Sequence, residues 1–410
     1  MPETTATIAP TESPRGTGRS RRLHVSDEFD GVMARIAEIA PMIREDGPAG
    51  EDLGRPTPRV LEALKEIGVF RAMLPREVGG FEFSPRQQLQ LMEALSWHEA
   101  STGWTVLGVI DQTALVAAYV DDIAVDEYFG DGFAIFSGQG TRPGRGRRVE
   151  GGYVISGEWQ FNSGSSVSTH LETAVVGDDG RFVMATLPRE KSTDVDNWDV
   201  LGLRASSSHD YRVDEVFVAD THTYDPVDGV ARRGGAMFDV GLAYLATLQH
   251  AGWALGVCKR LLEEIRLLAR QKASRRGAST STDQFYAAYA SMEAQYRSAR
   301  AFLLELWGDV ERTVDAAEAP SAEQISLMQL GTVTANRTAQ SIATEVATWA
   351  GTTLIRKGAI QRYFRDAYTG VEHLVCSPPV QQAVGKQLSG SAAEGARWVF
   401  YDLVESAGQS

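Results

Sequence analysis

A chain of 410 residues is long enough for a buried core and roughly two or three domains, and its 43% hydrophobic and 23% charged residues lie near globular averages, which argues against a disordered or fibrous protein. No apolar run approaches the roughly 18 to 20 residues that a spanning helix needs, so a membrane protein is not expected. The 40 Lys and Arg against 54 Asp and Glu leave a formal charge of -14, and an acidic surface repels phosphate backbones, which disfavours nucleic acid as a partner.

Residues 1–26 open with MPETTATIAPTESPRGTGRSRR, rich in Pro, Thr, Ser and Arg and without an apolar block, and read as a disordered tail. From 27 to 132 the apolar residues fall at helical spacing, as in Phe29, Val32, Ile36, Ile39 and Ile43 and again in Val60, Leu61, Leu64 and Ile67. Ser84 followed by Pro85 supplies an N-cap and a first-turn proline, and Ser101 or Thr102 is the expected cap before WTVLGVIDQTALVAAYV. Between 133 and 233 the pattern shifts to short alternating runs such as YVISGEWQF, RFVMATL and YRVDEVFV, broken by Gly, Asp and Ser, which predicts a β domain. Long helical segments return over 234–410 and predict an antiparallel bundle. Cys258 and Cys376 sit in no CxxC or Cys/His pattern, which suits a reducing cytoplasm. His98, His170 and His209 share no metal-ligand spacing, so no metal is expected.

Four strings stand out chemically. Phe136-Ser137-Gly138-Gln139-Gly140 precedes a strand, and that strand runs from Gly151 into Phe161-Asn162-Ser163-Gly164. Amides at such a glycine turn, beside a hydroxyl or carboxamide, can donate to the polar edge of a planar cofactor. Asn197-Trp198-Asp199-Val200-Leu201-Gly202-Leu203-Arg204-Ala205-Ser206 offers an indole as stacking area. Gln361 to His373 carries Arg365-Asp366-Ala367 and ends on a histidine, a group that titrates near neutrality. Taken singly, these are commonplace residues: a serine before glycine is usually a turn residue, and a lone tryptophan is usually core.

Taken together, the strings and the order of helices, β domain and bundle resemble the acyl-CoA dehydrogenase family over nearly the whole chain from about residue 27. The resemblance implies a mainly α protein with an N-terminal helical domain, a central β-barrel domain and a C-terminal four-helix bundle. It also implies flavin contacts from Ser137, Gln139, Phe161, Asn162, Ser163, Trp198, Arg204 and Ser206. Where the dehydrogenases have a stretch like W-I-T-N-G, this chain has Phe161-Asn162-Ser163-Gly164. F-x-S-G resembles the two-component flavin monooxygenases, whose serine bonds near flavin N5. The dehydrogenase glutamate, nine positions after the arginine, is replaced by Leu374, and the alternative site for that base holds Ala246. Neither side chain can accept a proton. His373 instead matches the catalytic histidine of the hydroxylating relatives, in which reduced flavin and O2 form a C4a-hydroperoxide.

Trp104, Tyr244, Gln249 and His250 fall on helices that line the substrate side in relatives. The family's R-x-Q-F-G string for the adenine half of FAD is displaced, Arg270-Gln271-Lys272 running on to Arg275-Arg276-Gly277, which leaves FADH2 and FMNH2 both open. No G-x-G-x-x-G strand-turn-helix for NAD(P) is apparent, so a separate NAD(P)H-flavin reductase is expected. The resemblance thus implies a cytoplasmic homotetramer that hydroxylates an aromatic or natural-product small molecule. Its alternatives are an FAD-dependent desaturase with a relocated base and a redox-neutral flavin enzyme.

Overall fold

In the computed structural model the described residues are 22–405, so most of the segment read as a tail lies outside them. The remainder of that segment is anchored. Ser26 is buried, its N–H donates to Gln87 Oε1 at 3.0 Å, and its carbonyl accepts from Gln87 Nε2 at 2.8 Å.

Five helices follow: α1 (Phe29–Leu53), α2 (Pro58–Ile67), α3 (Pro85–His98), α4 (Ala100–Tyr119) and α5 (Asp122–Phe129). Ser84 and Gln87 form a reciprocal capping box on α3, with Pro85 at its first turn as expected. The cap of α4 is Glu99, not Ser101 or Thr102. Extended backbone at Glu99 lets its carboxylate turn back and accept from Thr102 N–H at 2.6 Å.

Seven strands come next: β1 (Phe136–Val149), β2 (Gly152–Asn162), β3 (His170–Gly177), β4 (Phe182–Pro188), β5 (Thr193–Val195), β6 (His209–Ala219) and β7 (Thr223–Tyr224). They form one sheet in the order β5-β6-β2-β1-β3-β4-β7, with β1 and β3 parallel and the other pairs antiparallel. The sheet curls around its own core, in which alternate residues Tyr153, Ile155 and Trp159 of β2 meet Leu171, Val175, Tyr211 and Val213. Trp159 and Tyr211 stack with centroids 5.4 Å apart, and each finds a partner for its polar atom, Ala174 O and Thr173 Oγ1. The expected barrel is therefore an open, barrel-like sheet, because edge strands β5 and β7 are only three and two residues long.

The bundle consists of α6 (Leu242–Lys272), α7 (Asp283–Asp315), α8 (Ala322–Ala350), α9 (Ala359–Gly370) and α10 (Pro378–Leu388). A hairpin of β8 (Arg397–Val399) and β9 (Asp402–Val404), which the sequence pattern does not suggest, follows it, and Trp398 Nε1 donates to Ser326 Oγ of α8 at 3.1 Å. The two helical regions share one apolar core that runs from Val32 to Trp398. Gly252 and Gly256, one turn apart on α6, allow this. A Cβ at either would stand 2.8 Å from Leu89 O or 2.5 Å from Glu93 O, so α3 and α6 touch backbone to backbone. Among the described residues no helix is long and apolar enough to cross a membrane.

Candidate active site

The turn after β2 sits directly on α4. At Gly108 a Cβ would lie 2.7 Å from both Ser163 Cβ and Ser163 O, so only glycine lets the turn descend this far. One helical turn earlier on the same face, Trp104 Nε1 donates to Ser163 Oγ at 3.0 Å. Ser163 Oγ is 2.8 Å from Ser208 Oγ, which is 2.7 Å from Ser206 Oγ. A hydroxyl has two acceptor lone pairs and one proton. With Ser208 donating, Ser163 would accept twice and keep its own proton for a ligand.

The turn itself is locked. Phe161 adopts a left-handed φ of 62°, and its N–H donates to Asp210 Oδ1 at 3.1 Å, while Gly164 N–H donates to Ser206 O at 3.0 Å. The Phe161 ring stays 60% exposed and meets Trp198 edge-on at 6.3 Å. Asn162 points inward, and neither its Nδ2 nor its Oδ1 has a hydrogen-bond partner. Trp198 Nε1 donates to Leu203 O, and the exposed Arg204 donates to Val200 O at 2.9 Å. This loop is clasped from α9: Asp366 Oδ1 accepts from Leu203 N–H at 2.6 Å, and Arg365 Nη1 donates to Leu201 O at 2.9 Å. Ser137 is buried and donates to Ser168 Oγ at 2.7 Å, whereas Gln139 lies half-buried at the rim, its Oε1 accepting from Arg142 N–H.

Across Trp104 from the serines lie two histidines. The ring centroids of His250 and His373 are 4.1 Å apart, tilted by 32°, and Trp104 stands 5.2 Å from the first and 5.8 Å from the second. His250 Nδ1 is 2.8 Å from Ala246 O, which can only accept, so this nitrogen carries the proton. His250 Nε2 therefore holds a lone pair, and it is buried without a partner. Burial pushes the His250 pKa down to about 4.

His373 ends the turn after α9 and caps the short helix Leu374–Cys376, its Nδ1 accepting from Val375 N–H at 3.4 Å. Burial, and then the His250 ring, hold its pKa well below the ordinary histidine range. A neutral ring that accepts at Nδ1 carries its proton on Nε2. Gly370 sets this turn, since a Cβ there would lie 2.2 Å from the Trp253 ring, which in turn packs edge-on against Trp104 at 4.9 Å.

The structure thus brings together Trp104, Ser163, His250 and His373, with Ser206 linked through Ser208. It does not bring Gln249 there. That side chain faces α3 and donates to Gln88 Oε1 at 2.6 Å. Tyr244 is buried in the first turn of α6. Ser208 and Asp210 are not marked by the sequence, and Asp366 is marked there only as part of the Arg365-Asp366-Ala367 run. Asp111, two turns beyond Trp104 on the same helix, is not marked either, and its buried carboxyl is pushed up to about 7. A lone carboxylate inside WTVLGVIDQTALVAAYV was its signal.

Residues 248–378 match the family model described as acyl-CoA dehydrogenase, C-terminal domain. The chain is 28% identical over 354 residues to indole-3-acetate monooxygenase of Acinetobacter baumannii, covering 84% of this chain and 90% of the relative. It is 24% identical to the oxygenase component of p-hydroxyphenylacetate 3-hydroxylase from Acinetobacter baumannii, covering 88% and 89%. Among solved structures, the 3-HSA hydroxylase of Rhodococcus sp. superposes with a TM-score of 0.80 at 23% identity, covering 88% of this chain and 97% of that one. XiaF from Streptomyces sp., in complex with FADH2 and glycerol, superposes with a TM-score of 0.79 at 20% identity and the same coverage. The chain thus has the fold of these structures, and along most of its length it is similar to flavin-dependent monooxygenases built on the acyl-CoA dehydrogenase fold.

Proposed function

We propose that this chain is the oxygenase component of a two-component system that hydroxylates an aromatic or natural-product small molecule. One observation carries this reading: two neutral imidazoles and an indole cluster beside Ser163, while Leu374 and Ala246 occupy the places of a desaturase base. Leu374 is 42% exposed, and the Ala246 carbonyl is engaged by His250. Relatives named for indole-3-acetate and p-hydroxyphenylacetate favour an aromatic substrate.

The residues present fit a flavin. The exposed Phe161 ring with Trp198 offers an apolar wall, the Ser163 hydroxyl stands beside it, and Asn162 holds an amide with no partner in the protein. Bound as FADH2 or FMNH2, the flavin supplies two electrons, so that one atom of O2 enters a substrate C–H bond and the other leaves as water. Ser163 and Ser206 would hold its polar edge together with Ser137 and Gln139, and Trp198 and Arg204 would keep the facing loop closed. His373 would orient the substrate through Nε2–H, and the Trp104 ring, in contact with both Ser163 and His373, would help exclude water from the space they share. Reduced flavin arrives from a separate NAD(P)H-flavin reductase in the cytoplasm, and the working form is a homotetramer, which light scattering would show.

The test is O2 consumption by the protein with reductase, NAD(P)H and flavin across a panel of phenols, indoles and polyketide intermediates. Substrate-dependent consumption with an oxygenated product is expected. Tightly held oxidised flavin together with desaturation of an acyl thioester would overturn the reading.

A further inference from the structure

Away from the histidines, a surface cleft of about 570 Å³ opens where α3, α6 and α7 meet, within the size range of small-molecule sites. Lys259 in its lining lies roughly 13 Å along the α6 axis from His250. Three carboxylates line the cleft, and each is already engaged. Glu93 accepts from Arg300 Nε at 2.9 Å and from the Tyr296 hydroxyl at 2.5 Å. Glu263 accepts from both Arg44 Nη atoms at 3.1 and 3.0 Å and from Trp97 Nε1 at 2.7 Å. Glu293 accepts from Arg297 Nε at 3.0 Å and from the Tyr289 hydroxyl at 3.1 Å. One arginine thus answers each carboxylate, and two cations of the lining remain, Lys259 and Arg266. Among the described residues neither forms an ion pair. Lys259 Nζ stands 3.6 Å above the Trp97 ring centroid, and burial, its largest influence, holds its pKa below the ordinary lysine range. In a chain with a net charge of -14, the unspent charge of this cleft is positive.

We propose that this cleft is a second binding site, apart from the histidines, for a small aromatic acid whose carboxylate is held by Lys259 and Arg266 and whose ring packs on Tyr289 and Tyr296. The two cations are seven residues apart and so share one face of α6, separated by roughly 10 Å along its axis, a span that two such long side chains close on a single anion. Glu263 lies between them in sequence, but Arg44 and Trp97 already occupy its oxygens. Both tyrosine hydroxyls are committed to glutamates, which leaves the rings, with Leu262 and Leu304, as the apolar part of the lining. A cationic ligand would find every carboxylate spent and two cations repelling it. A neutral arene would leave those cations unanswered, and a bare inorganic anion would fill little of the cleft. The inference is independent of the oxygenase reading, since it uses neither a flavin nor Trp104, Ser163, His250 or His373.

The experiment is titration calorimetry of the full chain with 1-naphthoate, its uncharged amide 1-naphthamide, and inorganic phosphate. Naphthoate should bind about tenfold or more tighter than either of the others, the scale of a charge-assisted hydrogen bond. Lys259→Met keeps the apolar stem over Trp97 and removes the charge, and Arg266→Gln alters an exposed side chain. Each should weaken naphthoate by about tenfold and leave the amide unchanged. Melting curves establish that both variants are folded. The component of binding lost in these variants should persist in His373→Ala. No binding of naphthoate by the wild type would overturn the proposal, as would equal binding of the amide or of phosphate, or undiminished binding in the folded variants. Loss of that component in His373→Ala would also overturn it, by placing the acid in the site already described.

Discussion

The two walls of the site, both resting on Trp104, are built from their polar atoms in different ways. On the β-sheet side, Ser163, Ser206 and Ser208 form a closed hydroxyl chain, and Asp210 and Asp366 consume the backbone N–H groups of Phe161 and Leu203. On the bundle side, His250 Nε2 is left bare in a dry setting. The serine wall is braced by a chain of bonds already made and keeps the Asn162 amide unpartnered, while the histidine wall has no such brace and keeps the His250 Nε2 lone pair. A braced wall suits a cofactor that must be met in one orientation.

The strongest challenge to this division is His373→Ala. It should cut product formation by about 10²-fold or more, the usual scale for a positioned proton donor or acceptor. Reduced-flavin binding should persist, and the O2 consumed should appear as hydrogen peroxide. His373→Asn should recover activity if the ring only donates a hydrogen bond, and little if it moves a proton, because an amide is no base near neutral pH.

Next comes the dryness of the histidine wall. A histidine whose folded pKa is lowered from 6.5 to about 4 stays neutral while the unfolded chain takes up a proton, so its contribution to stability is lost as the pH falls through that window. The shift corresponds to about 3 kcal/mol. Glu172, buried and pushed up to about 8, works in the opposite direction, as does Asp111. The informative quantity is therefore a difference that cancels them. Between about pH 7 and 4, the stability of His250→Phe relative to wild type should rise by about 3 kcal/mol in urea titrations. A constant difference would mean that His250 is hydrated.

On the serine wall, Gly108→Ala should destabilise by about 1–3 kcal/mol, since its Cβ would meet backbone at Ser163 that cannot yield. Ser163→Ala should have the mildest effect. It removes one hydrogen bond, worth about 0.5–1.5 kcal/mol, and should raise uncoupled peroxide release by roughly two- to tenfold. Unchanged release would remove Ser163 from the account.

The serine wall was largely legible in the sequence because its core is contiguous: Phe161 to Gly164 is one turn, and Trp198 to Ser206 is one loop. Its supports were not. Ser208 and Asp210 act through contacts between distant segments, and nothing in their local pattern sets them apart, while Asp366 lies in the Arg365-Asp366-Ala367 run but its bond to Leu203 exists only in the fold. The cap of α4 was misassigned for a similar reason, since a hydroxyl is the commoner cap and only the extended backbone at Glu99 admits a carboxylate. The histidine wall draws on α4, α6 and the turn after α9. Trp104, His250 and His373 could each be singled out, but their contact, and the opposite tautomers that follow from Ala246 O and Val375 N–H, exist only once the helices are packed. Gln249 shows the converse. It neighbours His250 in sequence, yet points into α3.

The most direct test of the central claim uses isotopically labelled O2 with the protein, its reductase and a phenol that the wild type binds. The account predicts one labelled oxygen atom in the product for each O2 consumed by the wild type, and labelled hydrogen peroxide in its place for His373→Ala. Labelled product from His373→Ala at the wild-type rate and coupling would contradict it.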